Sequence, residues 1–177
     1  MTGGSNSIGL KRGTVQLAPY DPAWARAFQE ERVRLKAALG SSVHDIAHVG
    51  STSIPGLAAK PIIDIIASVD NLAIYRQLVG PLESLGYEFM PERVFEDRVF
   101  FPKGPRENRT HHLSLVIKDS AGWRDPIRFR DYVRAHEDVR AEYQVLKEAL
   151  AVQYPNDRAS YTKAKDAMIK EIMGRAV

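Results

Sequence analysis

Cysteine is absent from the 177 residues. The chain therefore forms no disulfides and offers no thiolate ligands, so any metal would be held by carboxylate, imidazole, hydroxyl or a ligand's own phosphate. The same absence leads to an expectation of a cytoplasmic setting. Long apolar runs are also missing. Nothing approaches the roughly 20 consecutive apolar residues that cross a bilayer, so no membrane partner is expected. Residues 1–13 lack the apolar stretch of a signal peptide and carry Gly, Ser and Asn instead, which predicts a flexible N-terminal tail ahead of a single domain over 14–177. Charge of one sign is in short supply as well. Twenty-five Lys and Arg against 22 Asp and Glu leave a net charge of +3, a bias toward anions too weak to indicate nucleic acid by itself. Two nucleotide-binding loops are excluded by their spacing. Gly56 is followed by Leu57, with the next lysine only at Lys60, so there is no Walker loop, and no G-x-G-x-x-G opens a helix.

Hydrophobic residues, at 44%, are patterned for a mixed architecture. Asp21-Pro22 with Trp24, Phe28, Leu35 and Leu39 predicts a capped helix ending at Gly40. Asp45 to Val49 reads as extended. Pro61 to Val69 reads as a central strand, because both alternating faces are apolar. A helix follows from Asn71, carrying Leu72, Tyr75, Leu78, Leu82 and Leu85, with Gly80-Pro81 as a candidate break. Tyr87–Met90, Arg93–Pro102 and His111–Ile117 are expected strands. The C-terminal third reads as helical, with a first start at Asp125-Pro126. The expected fold is α/β (α+β), a mixed sheet flanked by helices with a helical C-terminal third.

Asp64 is the one charge in the most apolar strand. An unpaired carboxylate there would cost several kcal/mol, so it must meet an opening, a metal ion, Lys60 or a nearby Arg. Gly50-Ser51-Thr52-Ser53 follows directly on an extended segment, and such a junction offers backbone N–H groups and hydroxyls to phosphate oxygens. The less eventful readings are a structural ion pair and an ordinary capped turn.

A Gly-Ser pair followed by an acid in the next apolar strand resembles the nucleotidyltransferase superfamily signature. More closely, the run from His48 to Ile65, HVGSTSIPGLAAKPIIDI, resembles the central motif of the GrpB family, also called UPF0157. Tyr20-Asp21-Pro22, Phe100-Phe101, His111-His112-Leu113, Phe129-Arg130-Asp131-Tyr132, Tyr143 with Lys147 and Tyr161 with Lys165 add to the likeness, which spans about Val15 to Ile172. The resemblance implies a nucleotidyltransferase-like fold, a nucleotide or other phosphorylated small molecule as ligand, and, by analogy with fused relatives, an association with dephospho-CoA kinase and coenzyme A metabolism.

On this reading Gly50, Ser51, Thr52 and Ser53 hold phosphate, Asp64 binds Mg²⁺, and Asp64 with Lys60 forms the catalytic pair. Two-metal transfer needs at least two converging carboxylates, yet the position two residues after Asp64 is Ile66. Asp97 is the candidate second acid. His112 is the candidate imidazole ligand, because adjacent strand residues face opposite ways and the resemblance turns His112 rather than His111 inward. Arg130, one helical turn from Arg134, is a candidate phosphate clamp. Tyr143 with Lys147 and Tyr161 with Lys165 read as packing and surface pairs. Two functions stand open: a Mg²⁺-dependent nucleotidyl or phosphoryl transferase, and a non-catalytic module that binds a phosphorylated metabolite. Nucleic-acid binding ranks behind both, for want of aromatic interleaving or a helix-turn-helix signature.

Overall fold

The computed structural model describes residues 8–176. Four strands form one mixed sheet in the order β1-β2-β4-β3. They are β1 (Ile46–Val49), β2 (Ile63–Val69), β3 (Arg98–Lys103) and β4 (His111–Ile117). β2 and β4 lie side by side and parallel, while β1 and β3 run antiparallel at the two edges. The two apolar faces of β2 are explained by this position: it is central, with helices on both sides.

One face is covered by α1 (Ala23–Leu39) and α2 (Tyr75–Ser84). Trp24, Phe28, Leu35, Leu78 and Leu82 pack there on Ile63, Ile65, Leu113, Leu115 and Phe101. A buried polar knot ties α1 to β3 on the same side. Glu31 is fully buried and accepts from Lys103 Nζ at 2.7 and 2.8 Å and from the Tyr87 hydroxyl at 2.9 Å.

The opposite face receives α3 (Ala121–Ala135), whose Trp123 and Ile127 sit over Val49, Ile66 and Val116. α4 (Glu137–Gln153), α5 (Arg158–Ala164) and α6 (Asp166–Arg175) complete a helical second layer. That layer clasps the segment after β1: Ile54 and Leu57 are buried against Val133, Val139, Tyr143 and Ile172.

Several boundaries differ from the sequence reading. α3 begins four residues before Asp125, with the Ser120 carbonyl accepting from Trp123 and Arg124; Pro126 removes one intrahelical bond and the helix continues through it. α2 likewise runs past Pro81 to Ser84. Tyr87–Met90 contributes a single bridge from Tyr87 to Lys103 rather than a strand, and β3 starts at Arg98 because Pro91–Arg93 form a 3₁₀ turn. The expected tail is shorter than residues 1–13. Residues 1–7 lie outside the described ones, but Leu10 is buried and exchanges two backbone hydrogen bonds with Arg109, and Gly9 donates to Pro61.

Candidate functional site

The site sits where β1 ends and β2 and β4 begin. Val49, Asp64 and His112 are cross-strand neighbours, and directly paired residues point to the same face. Asp64 therefore faces the helical layer, with Ile66 one pleat further along. His112 Nδ1 lies 3.1 Å from Asp64 Oδ1. Beside the other carboxylate oxygen the chain leaves β1 through Gly50 at φ 70°. A Cβ at Gly50 would stand 2.5 Å from Asp64 Oδ2, so only glycine combines that backbone angle with that approach.

The turn after Gly50 is held from behind. Ser53 donates its hydroxyl to the Gly50 carbonyl at 2.6 Å, and Thr52 donates to the Ile62 carbonyl at 3.2 Å. Arg134 donates through Nε to the Ser53 carbonyl at 2.9 Å, assisted by Nη2, and Arg130 Nη1 donates to the His48 carbonyl at 2.8 Å. Thr52 and Ser53 are thus engaged inside the protein. Gly50 and Ser51 are left facing a cavity of about 350 Å³, together with Thr52.

That cavity is closed by the C-terminal helices. Ile62, Phe129, Ile169 and Met173 give it apolar walls, and Tyr143 and Tyr161 line it as well. Three lysines line it: Lys60, Lys147 and Lys165. Lys60 and Lys165 lie 5.2 and 4.5 Å from the Tyr161 ring centre, and Lys147 lies 5.3 Å from that of Tyr143. Lys147 is 1% exposed and donates to the Ala58 carbonyl. Two carboxylates share the cavity, Asp64 beside His112 and Asp125, which pairs with Arg128 at 3.7 Å.

Burial, then crowding by the other cations, sets the titration of these groups. Lys60 falls to about 7 through desolvation and the charges of Arg158 and Lys165, with Asp64 opposing. Lys147 falls to about 7 through desolvation, Lys165 and Lys60. Lys165 is lowered mainly by burial. Burial is also the largest influence on Asp64 and pushes it up, but the hydrogen bond from His112, with the charges of Lys60 and Arg158, outweighs it and holds the carboxyl below its ordinary value. His112 is lowered by burial, so the neutral imidazole with Nδ1–H donating to Asp64 is the form this geometry favours.

The donor set is a poor match for a two-metal centre. Asp64 is ringed by Lys60, Arg158 and His112, which compete with a dication for its charge. Ile66, at the position a second acid would take, is packed beneath Trp123 and Ile127. Among the described residues no three His, Asp or Glu side chains converge to hold a metal.

Of the residues singled out from sequence, Gly50, Ser51, Thr52, Lys60 and Asp64 meet at the cavity and His112 touches it through Asp64. Ser53 lies behind the turn. Two others stand elsewhere. Asp97 is exposed and bonds Arg98 at 3.2 Å; Pro102 is the β3 residue opposite His112, so Asp97, in the turn before β3, lies beyond the far end of that strand and two strands across from Asp64. Arg130 backs the Gly50 turn and faces a separate depression with Phe28 and His48. The Tyr143–Lys147 and Tyr161–Lys165 pairs prove to be cavity lining rather than surface pairs. Each places a lysine four residues after a tyrosine, a spacing that is the same on a wet and a dry helix face.

Comparison with known proteins agrees with this architecture. The family model described as GrpB protein matches residues 14–175. A UPF0157 protein of Pseudomonas aeruginosa is 41% identical over 92% of this chain and 68% of its own length. The glutamate-rich protein GrpB of Alkalihalophilus pseudofirmus is 36% identical over 94% of this chain and 98% of its own. A dephospho-CoA kinase of Mycolicibacterium paratuberculosis is 28% identical over 94% of this chain, which spans 47% of that protein. Among solved structures, the conserved protein GrpB from Enterococcus faecalis superposes with a TM-score of 0.83 at 36% identity, covering 91% of this chain and 96% of that one. The Cid1 poly(U) polymerase with MgGTP bound superposes at 0.52 and 14% identity over 75% of this chain and 44% of that one, a likeness of fold. The fold is nucleotidyltransferase-like. No helix among the described residues is long and apolar enough to cross a membrane.

Proposed function

The chain belongs to the GrpB family, and on that premise we propose that its cavity binds a phosphorylated small molecule, a nucleotide or coenzyme A precursor, as a non-catalytic module. The observation that carries this reading is the gathering of Lys60, Lys147 and Lys165 around Gly50-Ser51. Lysines crowded together and partly withdrawn from water repel and lose hydration, and a phosphate oxygen among them would relieve both costs. The apolar walls given by Phe129, Ile169 and Met173 suit a base or other flat moiety. A cytoplasmic setting is part of the proposal.

On this account the lysines neutralise the phosphates, the role that metal ions fill in a two-metal transferase. A second reading keeps Asp64 and Lys60 as a catalytic pair, in which Asp64 would hold one Mg²⁺ that would help to neutralise the ligand's phosphates; the carboxylate of Asp64 in the cavity lining supports it. Melting curves separate the two. Saturating ligand at about 100 times its Kd adds about 2.7 kcal/mol, on the order of 5–10 °C for a domain of this size. The binding reading expects that shift to persist in a chelator and in Asp64→Asn. A shift that appears only with Mg²⁺ and vanishes in Asp64→Asn, with turnover in the wild type, would establish the transferase instead.

A further inference from the structure

On the far side of the Asp64–His112 pair lies a second and larger space. It measures about 720 Å³ and is lined by Arg12, Arg93, Phe100, His112, Arg158 and Lys163, among others. Phe100, Pro102 and His112 come from the same sheet face as Asp64, but from the β4–β3 side of it. The groove and the cavity therefore share a partition: Asp64 lines one, His112 lines the other, and the hydrogen bond between them crosses the wall.

The groove is lined by more cations than acids: its carboxylates are Asp157 and Asp166, and Asp64 attracts Arg158 from across the wall. Among the described residues, Arg12, Arg93, Arg158 and Lys163 have no carboxylate oxygen within 4.0 Å. Arg109, at the base, is already committed to Glu88 and the Gly104 carbonyl. Asp157 lines the groove but is spent capping α5, accepting from the Ser160 N–H at 3.0 Å and hydroxyl at 2.6 Å. Arg158 Nη2 stands 3.5 Å from His112 Nδ1. In the tautomer that donates from Nδ1 to Asp64, that nitrogen does not also accept from Arg158. Arg93 and Arg158 are close enough to repel each other, while Arg93 is braced over the Phe100 ring at 5.8 Å. Like charges held together by the fold around an open volume make an anion-binding arrangement.

We propose that this groove is a second ligand site that takes a polyphosphate-bearing small molecule and lays it against the other side of the Asp64–His112 wall from the cavity ligand. Two phosphorylated molecules would then be held back to back across one hydrogen-bonded pair. The site does not depend on what the lysine cavity binds.

The chain has four methionines, and two report on the two spaces: Met90 lines the groove and Met173 the cavity. Inorganic tripolyphosphate is titrated into the full chain labelled with ¹³C-methyl methionine. The proposal expects a saturable shift of the Met90 methyl. In the Arg12→Ala/Arg93→Ala double variant its midpoint should rise by about tenfold or more, the loss expected from charge-assisted bonds, while any Met173 titration keeps its midpoint. A Met90 methyl that does not move, or one whose midpoint is unchanged in the double variant, would overturn it. Failure of the cavity reading shows separately, as a Met173 methyl silent to every phosphorylated ligand.

Discussion

Replacing Lys147 by methionine tests whether the cavity keeps a buried cation at a cost to stability. Lys147 is 1% exposed, and burial with two neighbouring lysines takes it from the ordinary 10.5 to about 7. At about 1.4 kcal/mol per pH unit, that fall corresponds to roughly 5 kcal/mol of folding free energy. The sign follows from linkage. The unfolded chain holds this proton up to pH 10.5 and the folded chain only up to about 7, so the penalty is complete below pH 7, shrinks as pH rises, and is gone above 10.5. Methionine fills nearly the same volume without the charge, but it leaves the Ala58 carbonyl without its donor, a loss of about 1–3 kcal/mol. Lys147→Met should therefore be more stable than wild type by about 2–4 kcal/mol at pH 6 and less stable by about 1–3 kcal/mol above pH 10.5. Urea unfolding of both proteins across pH 6–11 measures the difference directly. The same variant should bind phosphorylated ligand about tenfold more weakly or worse. A variant less stable than wild type at pH 6, or a difference that does not change with pH, would refute the reasoning.

Three further substitutions probe the frame around the cavity. Gly50→Ala places a Cβ 2.5 Å from Asp64 Oδ2 at φ 70°; the backbone strain alone is about 1–2 kcal/mol, so melting should fall by at least about 2 °C and ligand binding should be lost, whereas unchanged binding would show that Asp64 can move aside freely. Arg134→Met removes two donors from the Ser53 carbonyl and should cost about 1–3 kcal/mol in denaturant unfolding; a change below about 0.5 kcal/mol would mean that the turn stands without its clasp. Ile66→Asp supplies the acid that a two-metal centre would need, but beneath Trp123 and Ile127. It should destabilise by several kcal/mol, and a stable variant that gains metal-dependent turnover would contradict the assignment of that position to the core.

The parts of the site that lie close together in the chain were readable from it. Gly50, Ser51, Lys60 and Asp64 fall within one turn-and-strand segment, where apolar periodicity and a stranded charge point to the same place. The other half was not readable, because it arrives by packing. Lys147 on α4 and Lys165, just after α5, reach the cavity only through the packing of those helices, and a Tyr-Lys pair one turn apart looks alike on a wet or a dry helix face. Asp97 failed as a partner for Asp64 for a related reason: alternation fixes the face of a residue but not its height along the strand, which depends on the β3–β4 register. Arg130 and Arg134 share a helix face, and that face meets the back of the Gly50 turn, so their donors go to main-chain carbonyls of His48 and Ser53. Asp125-Pro126 reads as a helix start because proline is favoured at the first helical position, while α3 starts after Ser120.

The central claim is that lysines, rather than metal ions, receive the ligand's phosphates. The most direct measurement is a crystal structure of the chain with a non-hydrolysable nucleoside triphosphate, grown with Mg²⁺ present. The account predicts phosphate oxygens within hydrogen-bond distance of Lys60, Lys147 or Lys165 and of the Gly50-Ser51 turn, with the Asp64–His112 bond intact and no metal between Asp64 and the ligand. Phosphates bridged to Asp64 through Mg²⁺, with the lysines uninvolved, would contradict it.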